Sequence, residues 1–236
     1  IKSLSNKISS HPQNIFRAGS DVQSFDSLKR ESVSSSIKFN QKGRISSDEQ
    51  TGWLINSQVC FNALTFKGVS IDHKNAPYLS LVAAMLRNGF LHTEIREKGG
   101  AYGAGAQHDS NSESFKFFSY RDPCCTKTIE TFHNSKQWLK NHAKKRHLDE
   151  AVLNVVSSID KPLTPLGEAK TNFSENYSQR SARSKNAFRK NIINAKLKEV
   201  IDAGLEMFEG EYSLSAIGSD RYSSEMENLG LSIKQF

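Results

Sequence analysis

"AYGAGAQHDSNSESFKFFSY", Ala101 to Tyr120, decides the fold. Its two ends, AYGAGAQH and SFKFFSY, are strand-like. The polar DSNSE between them makes a connection longer than two residues, so the stretch reads as a β-hairpin. A hairpin joins antiparallel strands, which argues against a doubly wound parallel sheet. Arg121-Asp122-Pro123 closes the second strand, because proline has no backbone N–H to continue a ladder.

Reading outward, Asp72 to Arg96 fits a helix. Leu79, Val82, Ala83, Leu86 and Phe90 recur on one face at helical spacing. Gln58 to Phe66 reads as a strand, Asn14 to Gly19 as a short strand, and residues 30–52, rich in Ser, Lys, Gln and Gly, as a linker. Downstream, helices fit Thr126 to His142 and Leu148 to Ile159. The two prolines of DKPLTPLG interrupt the run, and helices resume over Glu168 to Ser181 and Phe188 to Phe208. Glu211 to Asp220 supplies a closing strand and turn. The order predicts an α+β fold, a mostly antiparallel sheet flanked by helices. Asn14–Leu28 and Ser213–Leu229 align around a shared Gly-Ser-Asp, each as strand, turn and short helix. On that echo, residues 1–45 are the tail of a preceding homologous domain plus linker, and 46–236 form a second domain.

The chain has 236 residues and a net charge of +7. No apolar run approaches the ~18 residues of a membrane helix, so no membrane partner is expected. The basic residues carry no nucleic-acid motif, so no nucleic-acid partner is expected either; the charge instead favours acidic or carboxyl-bearing ligands. The first residues lack the apolar core of a signal peptide. They also lack an initiator Met, and Ile1 reads as the start of a processed chain or of a piece of a longer one. Cys60, Cys124 and Cys125 do not make a disulfide framework. They point to a reducing compartment, the cytoplasm ahead of a mitochondrion or another organelle.

Four glycines follow the first long helix: Gly99, Gly100, Gly103 and Gly105. Their order after a helix and before a strand is the reverse of a dinucleotide fingerprint. Gly99 and Gly100 suit a left-handed helix cap. Gly103 and Gly105 share one face of a strand and leave room there for a helix or an extended peptide. Arg96 and Tyr102 then project toward that space. A guanidinium and a phenol can polarise a carbonyl or hold a developing oxyanion, though both residue types also serve structure and solubility.

IREKGGAYGAGA, followed by SFKFFSYRDP and SSIDKPLTPLGEAK, resembles the C-terminal half of the pitrilysin/insulinase family of zinc metallopeptidases, and within it the presequence protease branch. The resemblance runs from about Gly52 to the C-terminus. It implies an enzyme of four similar α+β domains, in two halves that close over an unfolded peptide. The N-terminal half carries the zinc on His-x-x-Glu-His and a distal Glu. The C-terminal half has no zinc site and contributes an Arg and a Tyr, here Arg96 and Tyr102, to substrate binding and the tetrahedral intermediate. Gly99, Gly100, Gly103 and Gly105 are then candidate substrate-binding positions. The expected partners are the N-terminal half and peptide substrates, and this piece alone is expected to be inactive. Cys124-Cys125 departs from the family.

The seven histidines begin no His-x-x-Glu-His. In HAKKRHLDE, His142 and His147 are five apart, which is the wrong spacing for one α-helical face, so no metal or other cofactor is expected in this chain. The alternative reading is a non-catalytic scaffold or peptide-binding subunit of the same fold. It would have no need of Arg96 and Tyr102 together.

Overall fold

A computed structural model describes residues 50–177 and 181–235. Six strands form one mixed sheet: β1 (Thr51–Leu54), β2 (Cys60–Lys67), β3 (Gly103–Asp109), β4 (Ser114–Asp122), β5 (Tyr212–Gly218) and β6 (Ser232–Gln235), in the order β3-β4-β2-β5-β1-β6. The pairs β3–β4, β4–β2 and β2–β5 are antiparallel. The pairs β5–β1 and β1–β6 are parallel. The hairpin therefore stands at one edge, and the parallel strands complete the other.

The helices are α1 (Ala76–Leu86), α2 (Thr126–His142), α3 (Lys145–Ile159), α4 (Pro165–Tyr177), α5 (Ala182–Ile193), α6 (Leu197–Phe208) and the short α7 (Ser223–Asn228). A π-helix, Arg87–Glu97, continues α1 without a break. The chain divides into two compact units, and α4 belongs to the unit that does not hold the sheet.

One face of the sheet makes the core. Strand β2 alternates strictly, with Cys60, Asn62, Leu64 and Phe66 buried and Phe61, Ala63 and Lys67 exposed. On β4, Phe115 and Phe117 turn inward with no exposed surface. The Phe117 ring meets Phe66 of β2, Phe132 of α2 and Phe208 of α6 at centroid separations of 5.5–6.2 Å. Each such ring contributes roughly 2–3 kcal/mol by burial alone. Helix α1 packs against β3, α6 and α3, so Leu79, Leu81, Val82, Met85 and Leu86 are all buried.

Several boundaries differ from the sequence pattern. Thr51–Leu54 overlaps the end of the predicted linker at residues 51 and 52 and is a strand, paired on both sides with β5 and β6. Four residues are too few for a periodic signal. The predicted helix over Asp72–Arg96 begins at Ala76 and changes to π geometry at Arg87. The predicted helix over Phe188–Phe208 is two helices, broken at 194–196, where the Glu199 carboxylate accepts the Lys196 N–H (3.3 Å). Helix α4 starts at Pro165, earlier than predicted, because proline suits the first helical position. Strand β6 carries no pattern of its own and forms only as a parallel neighbour of β1. The strand expected at Asn14–Gly19, the first half of the internal echo and the 1–45 segment lie outside the described residues.

Candidate functional site

The junction between the π-helix and β3 is built by backbone geometry. Gly100 takes φ +80° and turns the chain out of the helix, as a left-handed cap requires. Its N–H donates to the Arg96 carbonyl (3.0 Å), and the Ala101 N–H donates to Ile95 (3.1 Å). Gly99 serves differently. A Cβ there would lie 2.5 Å from the Ile95 carbonyl oxygen, so the helix end itself excludes a side chain. Arg96 closes the π-helix as an exposed residue, and Tyr102 is 64% exposed.

The two strand glycines face neighbouring side chains. A Cβ on Gly103 would fall 2.3–2.6 Å from the Tyr120 ring, its cross-strand partner. A Cβ on Gly105 would meet Phe118, also its partner, at 3.0 Å, and the Arg87 side chain at 3.5 Å. The room expected above these glycines is thus filled by aromatic rings from β4 and by Arg87, which reaches the edge strand from the start of the π-helix.

Sequence reasoning did not single out Tyr120 and Arg121. The register of β4 against β2 slips between Cys60 and Asn62, so that two residues of β4 oppose Phe61. At this bulge Arg121 takes φ +49°, a left-handed conformation uncommon for a non-glycine residue. The turn sends its guanidinium over the Tyr102 ring, 5.6 Å from the centroid. The Tyr102 N–H donates to the Arg121 carbonyl (3.2 Å), and the Tyr102 and Tyr120 rings lie 5.6 Å apart. The run SYRDP carries these residues, but only strand pairing reveals that they frame Tyr102.

The outer face of the sheet continues this surface. Phe61 pairs with Ile217, Ile217 with Trp53, and Trp53 with Lys234, making one transverse row across β2, β5, β1 and β6. Phe61, Ile217 and Tyr120 are each between 37% and 40% exposed. Lys234 Nζ lies 5.7 Å from the Trp53 ring centroid. Adjacent apolar groups on an open sheet face can accept the side chains of an extended chain.

Beneath the bulge lies a buried polar cluster. Asp122 is fully buried and accepts from Thr128 Oγ1 (2.7 Å), the Cys124 N–H (2.9 Å) and Asn62 Nδ2 (3.4 Å). Asn62 also donates to Ser119 Oγ and the Cys124 carbonyl, and its own oxygen faces Cys125 Sγ. Cys60 and Cys125 are buried and Cys124 half-buried, all as free thiols. The hydrogen bond with Cys125, and then burial, push the Cys60 thiol far above its usual range.

His142 and His147 line a different feature, a cleft of about 630 Å³ between the π-helix, α2 and α3, with Phe90, Trp138, Lys144 and Arg146. Burial, followed by the adjacent Arg146 charge, holds His147 below the usual histidine range. Among the described residues no group of three or more His, Cys, Asp or Glu is placed to hold a metal ion. Among the same residues, no helix is long and apolar enough to cross a membrane.

Residues 57–214 match the family described as the PreP C-terminal domain. The mitochondrial presequence protease of Saccharomyces cerevisiae is 42% identical over 118 residues, 49% of this chain and 12% of that protein. That of Kluyveromyces lactis is 30% identical over 162 residues, 68% of this chain and 16% of that protein. The chain thus spans well under a quarter of the length of these relatives. Among solved structures, the peptidase M16 inactive domain from Pseudomonas fluorescens superposes with a TM-score of 0.58 at 15% identity, over 72% of this chain and 43% of that one. At that identity the likeness concerns the fold alone.

Proposed function

Because the chain belongs to the PreP C-terminal domain family, part of the C-terminal half of the pitrilysin/insulinase peptidases, we propose that it forms a chamber wall opposite a zinc-bearing half. In this reading residues 46–236 are the terminal domain, and residues 1–45 are the tail of a preceding domain of the same type. The metal and its water-activating chemistry belong to the other half. This chain contributes binding and charge stabilisation.

Arg96 and Tyr102 are the residues assigned to the reacting carbonyl. Both are exposed, at a helix end and a strand start fixed by the Gly100 cap. Tyr102 is braced by Tyr120 and covered by Arg121, which limits the directions its hydroxyl can take. A preset donor beside a permanent cation stabilises an oxyanion without reorganising when charge develops. The peptide is proposed to rest on the Tyr120–Phe61–Ile217 surface. Gly103 and Gly105 contribute indirectly, by letting the Tyr120 and Phe118 side chains approach β3 closely. The mitochondrial names of the relatives move the mitochondrion ahead of the cytoplasm as the proposed location.

The observation that carries this reading is Tyr102, a large aromatic left 64% exposed yet held on two sides. The test is turnover of an unstructured peptide by the assembled two-half enzyme. Arg96→Ala and Tyr102→Phe are each expected to lower kcat on the order of a hundredfold while leaving the melting temperature unchanged, the scale of a lost oxyanion donor. Wild-type turnover in both removes the assigned roles.

A further inference from the structure

The π-helix ends on a side-chain chain that the reading above does not use. His92 Nε2 lies 2.8 Å from Arg96 Nη1, and His92 Nδ1 lies 3.3 Å from Glu97 Oε1. A guanidinium has only donors and an ionised carboxylate only acceptors. A single neutral tautomer therefore suits both contacts, with a protonated Nδ1 facing the Glu97 carboxylate and the bare Nε2 accepting from Arg96.

The helix type makes this arrangement available. In an α-helix, residues five apart point about 140° away from each other, so His92 would reach Arg96 but not Glu97. The wider π turn brings residues four and five ahead of His92 within reach together. The same widening shows at the helix end, where the Lys98 N–H donates to the Thr93 carbonyl, five residues back. π-Helical geometry is rare, and where it interrupts an α-helix it is frequent at functional sites.

We propose that His92, oriented by Glu97, is a positioning residue that holds the Arg96 guanidinium toward the reacting carbonyl. The inference rests on the reading of Arg96 given above. A neutral imidazole occupies one guanidinium donor and leaves the rest free, together with the full positive charge. A carboxylate in direct contact would offset that charge. Glu97 instead stands one residue removed, where it fixes the tautomer. His92 and Glu97 side chains are 42% and 56% exposed, so their pairing adds little to stability. Its effect is expected in turnover alone.

Two measurements test it. The first is a double-mutant cycle in the assembled enzyme on one unstructured peptide. His92→Ala is expected to lower kcat ten- to a hundredfold, the order of cost of a misplaced group, with KM changed less than about twofold. His92→Gln, which keeps an acceptor at similar reach, is expected to recover much of the loss. The pair Arg96→Ala/His92→Ala is expected to be no worse than Arg96→Ala alone. The second measurement, on this chain, is the ¹⁵N spectrum of the His92 ring, expected to show protonated Nδ1 and bare Nε2.

Full activity in Arg96→Ala overturns the role of Arg96 and this inference with it. A large loss in Arg96→Ala beside full activity in His92→Ala overturns this inference alone. So do multiplicative losses in the pair, or a ring protonated on Nε2.

Discussion

Gly103→Ala probes how closely the sheet edge is fitted around Tyr102. The new Cβ would sit 2.3 Å from Tyr120 Cε1, 2.5 Å from Cζ and 2.6 Å from the hydroxyl oxygen. Carbon atoms settle roughly 3.5–4.0 Å apart, so the ring must retreat by at least about 1 Å. Tyr120 is 40% exposed and can swing outward, which places the overpacking cost near the low end of its usual range, about 1 kcal/mol. Replacing glycine inside a strand returns roughly 0.5–1 kcal/mol of backbone entropy. The two nearly cancel. Thermal unfolding of the chain should therefore shift by less than about 3 °C.

Function should respond more strongly, because the displaced ring is the one that braces Tyr102. Turnover by the assembled enzyme is expected to fall on the order of tenfold. Gly105→Ala, whose Cβ meets Phe118 at 3.0 Å, serves as the milder comparison. In a Tyr120→Ala background the clash is gone, and adding Gly103→Ala should cost nothing further. Wild-type turnover in Gly103→Ala, with the Tyr120 ring shown to have moved, refutes the bracing argument.

Phe117→Ala removes a ring with no exposed surface that touches Phe66, Phe132 and Phe208, and should cost about 3–5 kcal/mol in chemical denaturation; a loss under about 1 kcal/mol would mean that the core is not centred there. Burial holds His108 below its ordinary range, although its Nε2–H donates to the Val69 carbonyl (3.0 Å), and burial lowers His133 likewise. With folded values below the unfolded ~6.5, the unfolded chain binds protons more readily there, so stability should rise with pH up to about 6.5 and level off above it. Melting curves at pH 5.5 and 7.5 check the slope, which His108→Gln should reduce. Iodoacetamide at neutral pH should leave Cys60 and Cys125 unmodified until the chain unfolds, with slow labelling at half-buried Cys124; rapid modification of Cys60 would contradict its burial and raised thiol pKa.

Much of the fold is legible because it rests on local patterns. The hairpin spans only twenty residues, and helix α2 has the predicted limits of Thr126–His142. Where two signals overlap, legibility fails. The run Phe188–Phe208 keeps a helical composition through the break at 194–196, and residues 72–96 keep helical spacing through the change to π geometry. Of the candidate site, Arg96, Tyr102 and the Gly100 cap lie in one continuous motif. Tyr120, Arg121, Phe61 and Ile217 come from three strands, and no spacing rule joins them.

The sequence alone determined the α+β class, the hairpin, the glycine cap and the family, because each is written in residues near one another. Only the tertiary structure decided that β1 and β6 are strands, that rings cover Gly103 and Gly105, and that Arg121 lies over Tyr102. These depend on pairing register and on a bulge, and both are set by which strands meet rather than by any stretch read alone.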